Sequence, residues 1–152
     1  MTGITAILHT HNDALRIARA IESLRPCDEI LVIDHGSSDE TREVARRFGA
    51  RVITTHTSSF ETRAFLSQAL HDWIFCMLPT ESLSEGLEAA LLEWKLAAPA
   101  YTSFDVSIVE EGSRVQETRL VNRTHIAWDG CEPRKELGAI LLDGDLLRMS
   151  LP

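Results

Sequence analysis

The chain has 152 residues, 44% of them hydrophobic, with a formal net charge of −8. That length and apolar content suit one domain with its own core. The acidic balance argues against binding nucleic acid or an anionic membrane through bulk electrostatics.

Ile4 to Leu8 is an apolar run that predicts a first strand, and His9-Thr10-His11-Asn12-Asp13 is its polar exit. Asn12 or Asp13 can cap a helix whose apolar face is Ile17, Ile21 and Leu24, ended by Pro26. Ile30-Leu31-Val32-Ile33 then reads as a strand buried on both faces, closing on Asp34. Gly36 permits a sharp turn, and Ser37 with Glu40 stands at capping-box spacing, predicting a helix to about Phe48 before Gly49. Arg51 to Thr55 gives a third strand, so the opening predicts two right-handed crossovers in a parallel sheet.

Ser58 and Glu61 repeat the capping-box spacing, which predicts a helix through His71 with Phe65, Leu66, Ala69 and Leu70 inward. Asp72 to Leu78 reads as a fourth strand, stopped by Pro79. A further helix starts from Ser82 with Glu85, or from Ser84 alone, burying Leu87, Leu91 and Trp94 before Pro99. Beyond Pro99, Phe104, Val106 and Ile108 alternate with Ser103, Asp105 and Ser107, as in a strand with one wet face. Glu110 to Ser113 reads as a hairpin turn, with a return strand over Arg114 to Val121. Asp143-Gly144-Asp145 reads as a turn after the apolar run Ile140-Leu141-Leu142.

Three cysteines, Cys27, Cys76 and Cys131, are far apart and show no metal-type spacing. They point to a reduced, cytoplasmic chain rather than a disulfide framework. No apolar stretch approaches membrane-spanning length, so no membrane span is expected. The pattern is α/β: one domain over 1–152, with an alternating half (1–83) followed by an antiparallel half (84–152). In open α/β sheets ligands bind at the carboxyl edge of the strands, which here carries Asp34 and its turn.

The pieces Ile4-Thr5-Ala6-Ile7-Leu8-His9-Thr10-His11-Asn12-Asp13 and Asp34-His35-Gly36-Ser37-Ser38-Asp39-Glu40-Thr41 together resemble the family 2 glycosyltransferases, which have the GT-A fold. The likeness continues through Gly49 to Val52 and the Phe60 to Trp73 segment with Arg63, and it is closest to the bacterial branch that builds cell-envelope polysaccharide and lipopolysaccharide core. Arg119 to Arg123 and Trp128-Asp129-Gly130 look like the family's arginine-rich strand and its following tryptophan.

The resemblance implies a three-layer α/β/α architecture and a donor site for a nucleotide-sugar at the ends of the first two strands. It places Asp34 and His35 at nucleoside and base, and His9, Thr10 and Asp13 beside them, with Gly36 shaping the turn. Arg63 stands where an arginine near the donor can bind diphosphate by its planar fork. Asp39 reads either as a ligand or as a helix cap, and Asp34 as a ligand or as the holder of its own turn.

The family's Asp-x-Asp motif, which holds Mg²⁺ or Mn²⁺ against the donor diphosphate, aligns with Met77-Leu78-Pro79-Thr80-Glu81. Both aspartates are replaced, by Leu78 and Thr80, and only Glu81 remains, so the cation expected for the family lacks its ligands. The resemblance makes Glu132 the nearest candidate for the base that deprotonates the acceptor, with Glu136 next and Glu81 also retained as catalytic. Two readings follow. One is a glycosyltransferase with altered or lost metal dependence, and the other is an inactive GT-A-fold binding or regulatory subunit. A shortened acceptor half could leave apolar surface for a homodimer.

Overall fold

The computed structural model describes residues 1–149. Four strands, β1 (Ile4–Thr10), β2 (Glu29–Asp34), β3 (Arg51–Thr54) and β4 (Trp73–Cys76), lie parallel in the spatial order β3-β2-β1-β4. The register sets Thr10 opposite Asp34 and Ile7 opposite Cys76, so the carboxyl ends of β2, β1 and β4 share one edge. Helices α1 (Ile17–Ser23) and α2 (Thr41–Arg47) connect the first three strands. The β3–β4 connection carries a 3₁₀ helix, Thr62–Gln68.

Beyond β4 come the short strand β5 (Glu81–Leu83), helix α3 (Glu85–Leu96), and the hairpin of β6 (Ser103–Glu110) and β7 (Ser113–Asn122). A two-residue pair follows, β8 (Trp128–Asp129) with β9 (Glu132–Pro133), and then β10 (Ile140–Arg148). β7 pairs antiparallel with β4, which makes one sheet of eight strands, β3-β2-β1-β4-β7-β6-β10-β5. The GT-A-like α/β architecture is therefore present: a mainly parallel sheet with antiparallel strands in its later half.

Strand alternation divides the core. Ile4, Ala6 and Leu8, with Val32, Phe75 and Leu120, pack against α1, Ala45 of α2, and Leu87, Leu91 and Trp94 of α3. Trp73, Trp94 and Phe104 meet edge to face at 4.9 to 6.0 Å in that layer. Ile7, Leu31, Ile33, Ile74, Cys76 and Val121 face the other way, under the 3₁₀ helix and Trp128. Three α-helices thus cover one face, and the 3₁₀ helix with the β8–β9 pair covers the other.

Several predicted details differ. The helix over 58–71 is only the 3₁₀ turn Thr62–Gln68, and Leu70 is exposed rather than inward. Its ends find partners elsewhere: Arg123 takes the carbonyls of Leu66, Ala69 and His71, while Glu29 and Thr5 accept from the amides of Leu70 and His71. With those groups satisfied, a longer helix gains nothing. Ser37 does not cap α2, which starts at Thr41. Its hydroxyl instead donates to Asp34.

Ser84 is the cap of α3, its Oγ accepting from the Leu87 amide. The alternating face of β6 is not wet: Ser103, Asp105 and Ser107 are buried, bonded to Glu136, Thr118 and Arg114. Asp143-Gly144-Asp145 is not a turn but a bulge inside β10, where the register with β6 shifts between Leu141 and Asp145.

Candidate functional site

The β1 exit and the turn after β2 are tied into one polar frame. Asp34 is fully buried, and its carboxylate accepts from Ser37 Oγ (2.5 Å), Ser37 N (3.0 Å) and Arg42 Nη1 (3.0 Å). It holds its own turn, one of the two readings its position allowed. Gly36 stands at φ 71°, a backbone conformation that side chains disfavour, and so lets the chain turn beneath it. The Asn12 side-chain oxygen accepts from Ser38 N (2.8 Å), and its backbone N–H donates to Ser37 Oγ (2.9 Å). Thr10 is buried and donates to Asp13 (2.6 Å), whose backbone N–H donates in turn to Thr41 Oγ1 (2.8 Å).

Asp39 accepts from the amide and hydroxyl of Thr41 and from Ala14 N (3.2 Å). The Thr41 hydroxyl holds its carboxyl below the usual aspartate range. Asp39 thus stands one residue before the N-cap Glu40 and holds the turn that leads into α2. Thr10, Asp13, Asp34 and Asp39 therefore lie together, bonded among themselves and to the backbone, Ser37, Thr41 and Arg42.

Two other predicted residues meet above this frame. His9 and His35, both buried, sit ring to ring with Nδ1 of His9 2.8 Å from Nε2 of His35. His35 Nδ1 lies 2.8 Å from the Thr57 carbonyl, and His9 Nε2 lies 2.9 Å from Thr62 Oγ1. Burial, with His35 alongside, pushes His9 down to about 4. Phe60 stacks on His35 at a centroid distance of 4.0 Å. His11, His35, Ser58 and Phe60 line an open, largely apolar hollow of about 250 Å³ at the shared strand edge. Phe60 and Ser58 were not foreseen as site residues, and a lone aromatic in an otherwise polar loop is the one sequence sign they leave. Arg63 is exposed on the 3₁₀ helix and makes no ion pair among the described residues.

A second polar cluster lies beyond β4. Glu81 is buried, its two oxygens gripped by Arg119 Nη1 and Nη2 at 2.7 and 2.9 Å. Arg148 adds bonds of 2.8 and 3.1 Å, and the Leu78 amide one of 2.9 Å. Burial raises the pKa of this carboxyl, but Arg119 outweighs it and holds Glu81 below the usual glutamate range. Glu81 thus has both of its oxygens paired with guanidinium groups. The buried, paired Arg119 is the residue that sequence reasoning underused, although an arginine next to the apolar Leu120-Val121 pair was visible.

Glu132, half-buried on β9, stands 3.5 Å from Arg119 Nη2. Burial raises its pKa, and Glu117 and Glu81 add to this against the pull of Arg119. Glu136 is turned away to Ser103 (2.9 Å) and His125 (3.1 Å).

The turn Leu78–Glu81 leaves the sheet at the same edge, since the amide of Met77 still bonds Ile7 O of β1. Its side chains do not fit a divalent cation: that of Leu78 offers no ligand atom, that of Thr80 a neutral hydroxyl, and that of Glu81 a carboxylate already committed to two arginines. Among the described residues no group of three or more histidines, cysteines and acids is arranged to hold a metal ion. No helix among them is long and apolar enough to cross a membrane.

Residues 5–77 match the family model described as glycosyl transferase family 2. An uncharacterized glycosyltransferase of Rickettsia felis is 36% identical over 91 residues, covering 58% of this chain and 32% of that protein. A counterpart in Rickettsia prowazekii is 32% identical over 91 residues, covering 58% and 31%. The chain thus spans about a third of the length of these curated relatives. Glucosyl-3-phosphoglycerate synthase of Mycobacterium tuberculosis, solved with Mn²⁺ and uridine diphosphate, superimposes with a TM-score of 0.58 at 19% identity, over 71% of this chain and 44% of that one. Mannosyl-3-phosphoglycerate synthase of Rubrobacter xylanophilus gives 0.57 at 20% identity, over 70% and 40%. These likenesses carry the fold. The family match runs from β1 through β4, and over that stretch the chain is similar to the family 2 glycosyltransferases.

Proposed function

We propose that this chain binds the nucleoside diphosphate part of a nucleotide-sugar in the hollow between His11, His35, Ser58 and Phe60, in the service of glycosyl transfer. The observation that carries the reading is that hollow: a flat, largely apolar pocket with an aromatic wall, open at the carboxyl edge of a parallel sheet. A base stacks on an aromatic ring whatever its edge pattern, and the neighbouring histidine and hydroxyl offer polar contacts to ribose. Asp34, Gly36, Thr10, Asp13 and Asp39 serve by fixing the two loops in shape, so they position the pocket without touching its ligand. In this reading Arg63, exposed on the adjoining 3₁₀ helix, meets the diphosphate with its planar fork.

In the catalytic form of this reading, Glu132 is the base. As the acceptor oxygen bonds the anomeric carbon and the bond to the diphosphate oxygen breaks, the acceptor proton passes to Glu132. Its raised pKa suits that task better than an ordinary surface glutamate would. The reduced cysteines agree with work in the cytoplasm on envelope saccharides.

A specific observation favours a second reading, a binding or regulatory subunit. The residues at the family's cation position are an aliphatic side chain, a neutral hydroxyl and a carboxylate locked between Arg119 and Arg148. Calorimetry with uridine, guanosine, cytidine and thymidine diphosphates tests the common claim. One of them is expected to bind, with Phe60→Ala and His35→Ala each weakening it about tenfold, the cost of a lost stacking partner. Absence of binding by all four removes the nucleotide reading. Hydrolysis of the matching nucleotide-sugar then separates the enzyme from the binder.

A further inference from the structure

The two histidines form the middle of a hydrogen-bonded chain whose ends are both carbonyls. It runs from Thr57 O to His35 Nδ1 (2.8 Å), from His35 Nε2 to His9 Nδ1 (2.8 Å), from His9 Nε2 to Thr62 Oγ1 (2.9 Å), and from Thr62 Oγ1 to Cys131 O (2.8 Å). Four contacts at hydrogen-bond distance need four hydrogens. Two neutral imidazoles and one hydroxyl carry three. A carbonyl cannot donate, so neither end can supply the fourth. With both rings neutral, one contact in the chain must therefore face acceptor to acceptor.

If both ring hydrogens point toward Thr57, it is Cys131 that loses its donor, and if both point the other way, Thr57 does. If they point away from each other, to Thr57 and to Thr62, the two rings meet bare nitrogen to bare nitrogen and the strap breaks at its middle. One added proton, shared by the two rings, completes all four links at once. Thr57 belongs to the loop that carries Ser58 and Phe60, and Cys131 sits at the tip of the β8–β9 pair beside Glu132. The chain thus straps the two walls of the cleft together across β2 and β1.

We propose that His9 and His35 bind a single shared proton that latches the Thr57 loop and the Cys131 hairpin tip together over the sheet edge. The proton comes from solvent, no covalent bond between heavy atoms changes, and the pair goes from neutral to a charge of one. The inference is independent of the nucleotide reading, because it concerns the empty cleft.

Other titratable groups on the surrounding elements do not supply the missing hydrogen or a counter-charge. His11 from the β1 exit bonds the His35 carbonyl, and Asp34 from β2 is committed to Ser37 and Arg42. Cys76 from β4 is a buried thiol, and Glu132 on the hairpin lies against Arg119. Glu61 bonds Ser59, while His56, Arg63 and the Cys131 thiol bond neither ring. Burial without a carboxylate partner pulls His9 downward from a free imidazole, and the fourth hydrogen bond works against that pull.

The test is a pH titration of the full chain, read by the ¹⁵N signals of the imidazole rings and by exchange of the Thr62 amide, which donates to Gly130 O of the same hairpin. The two rings are expected to take up one proton as a unit, below the pH at which a free imidazole does. Exchange at Thr62 should slow as they do so.

Thr62→Val removes the hydroxyl and leaves two neutral rings with two hydrogens for two contacts. It should lower the pair's midpoint by about one unit and abolish the pH effect on the hairpin. Thr62→Ser, which restores the hydroxyl, should restore both. The proposal is overturned if the rings titrate independently, if neither takes up a proton before acid unfolds the chain, or if Thr62→Val leaves the midpoint in place. Should Thr62→Val fail to fold, the wild-type and Thr62→Ser titrations decide alone.

Discussion

At the scale of single residues, carboxylates that look alike in sequence have been given different work by their surroundings. Asp34 and Asp39 are committed to turns, Glu81 to an ion pair, and only Glu132 keeps a half-buried carboxylate in a setting that raises its pKa. The difference is how many donors reach each group. Glu81 takes five bonds, four of them from guanidinium groups, and removing its charge leaves Arg119 buried with weaker partners in Glu117 and Glu132.

Glu81→Gln should therefore destabilise the fold by about 3 kcal/mol, measured by urea unfolding at neutral pH. The sign with pH follows from its depressed pKa. The stabilisation is present above the ordinary glutamate value and is lost as acid titrates the group below it, so wild type and variant should converge at low pH. A variant as stable as wild type at neutral pH would mean that the ion pair is not holding the turn.

At the scale of elements, the alternating half was legible because its signals are local and redundant. Four apolar runs, each broken by Gly, Pro or a capping residue, match β1 to β4 within a few residues, and Ser84 caps α3 as one of its two expected starts. What the sequence hid was long-range. Ser37 has the spacing of a cap, yet Asp34 claims its hydroxyl. The polar side of β6 reads as wet, yet Thr118, Arg114 and Glu136 cover it from strands and loops that the alternation cannot see. The Thr62–Gln68 turn is short because Arg123, Glu29 and Thr5 satisfy its ends.

Likewise, Asp34 and His35 are neighbours in the chain, but the geometry that decides which of them faces the hollow depends on Arg42 and Phe60. Gly144 illustrates the same limit. It lies at φ 87° in the bulge of β10, where a Cβ would run into the backbone of Leu87 at the start of α3. Gly144→Ala should cost about 2 kcal/mol or more, through backbone strain and the clash together, seen as a lowered thermal midpoint. An unchanged midpoint would show that α3 does not bear on β10 as closely as described.

At the scale of the molecule, one sheet joins a parallel half to an antiparallel half, and the cleft at its carboxyl edge lies between two polar clusters. On one side His11, His35, Ser58 and Phe60 frame a hollow; on the other Glu81, Arg119, Arg148 and Glu132 form a closed ionic network. Between them the turn Leu78–Glu81 provides no ligand set for a cation. If the hollow holds a nucleoside diphosphate, it does so through ring stacking and a guanidinium rather than through a metal bridge. The decisive measurement is therefore calorimetric titration of the bound nucleoside diphosphate in EDTA and again in excess Mn²⁺. Dissociation constants that agree within about threefold, less than 1 kcal/mol, are the expected result. Affinity that appears only with Mn²⁺, or that rises a hundredfold with it, would contradict the reading of Leu78, Thr80 and Glu81.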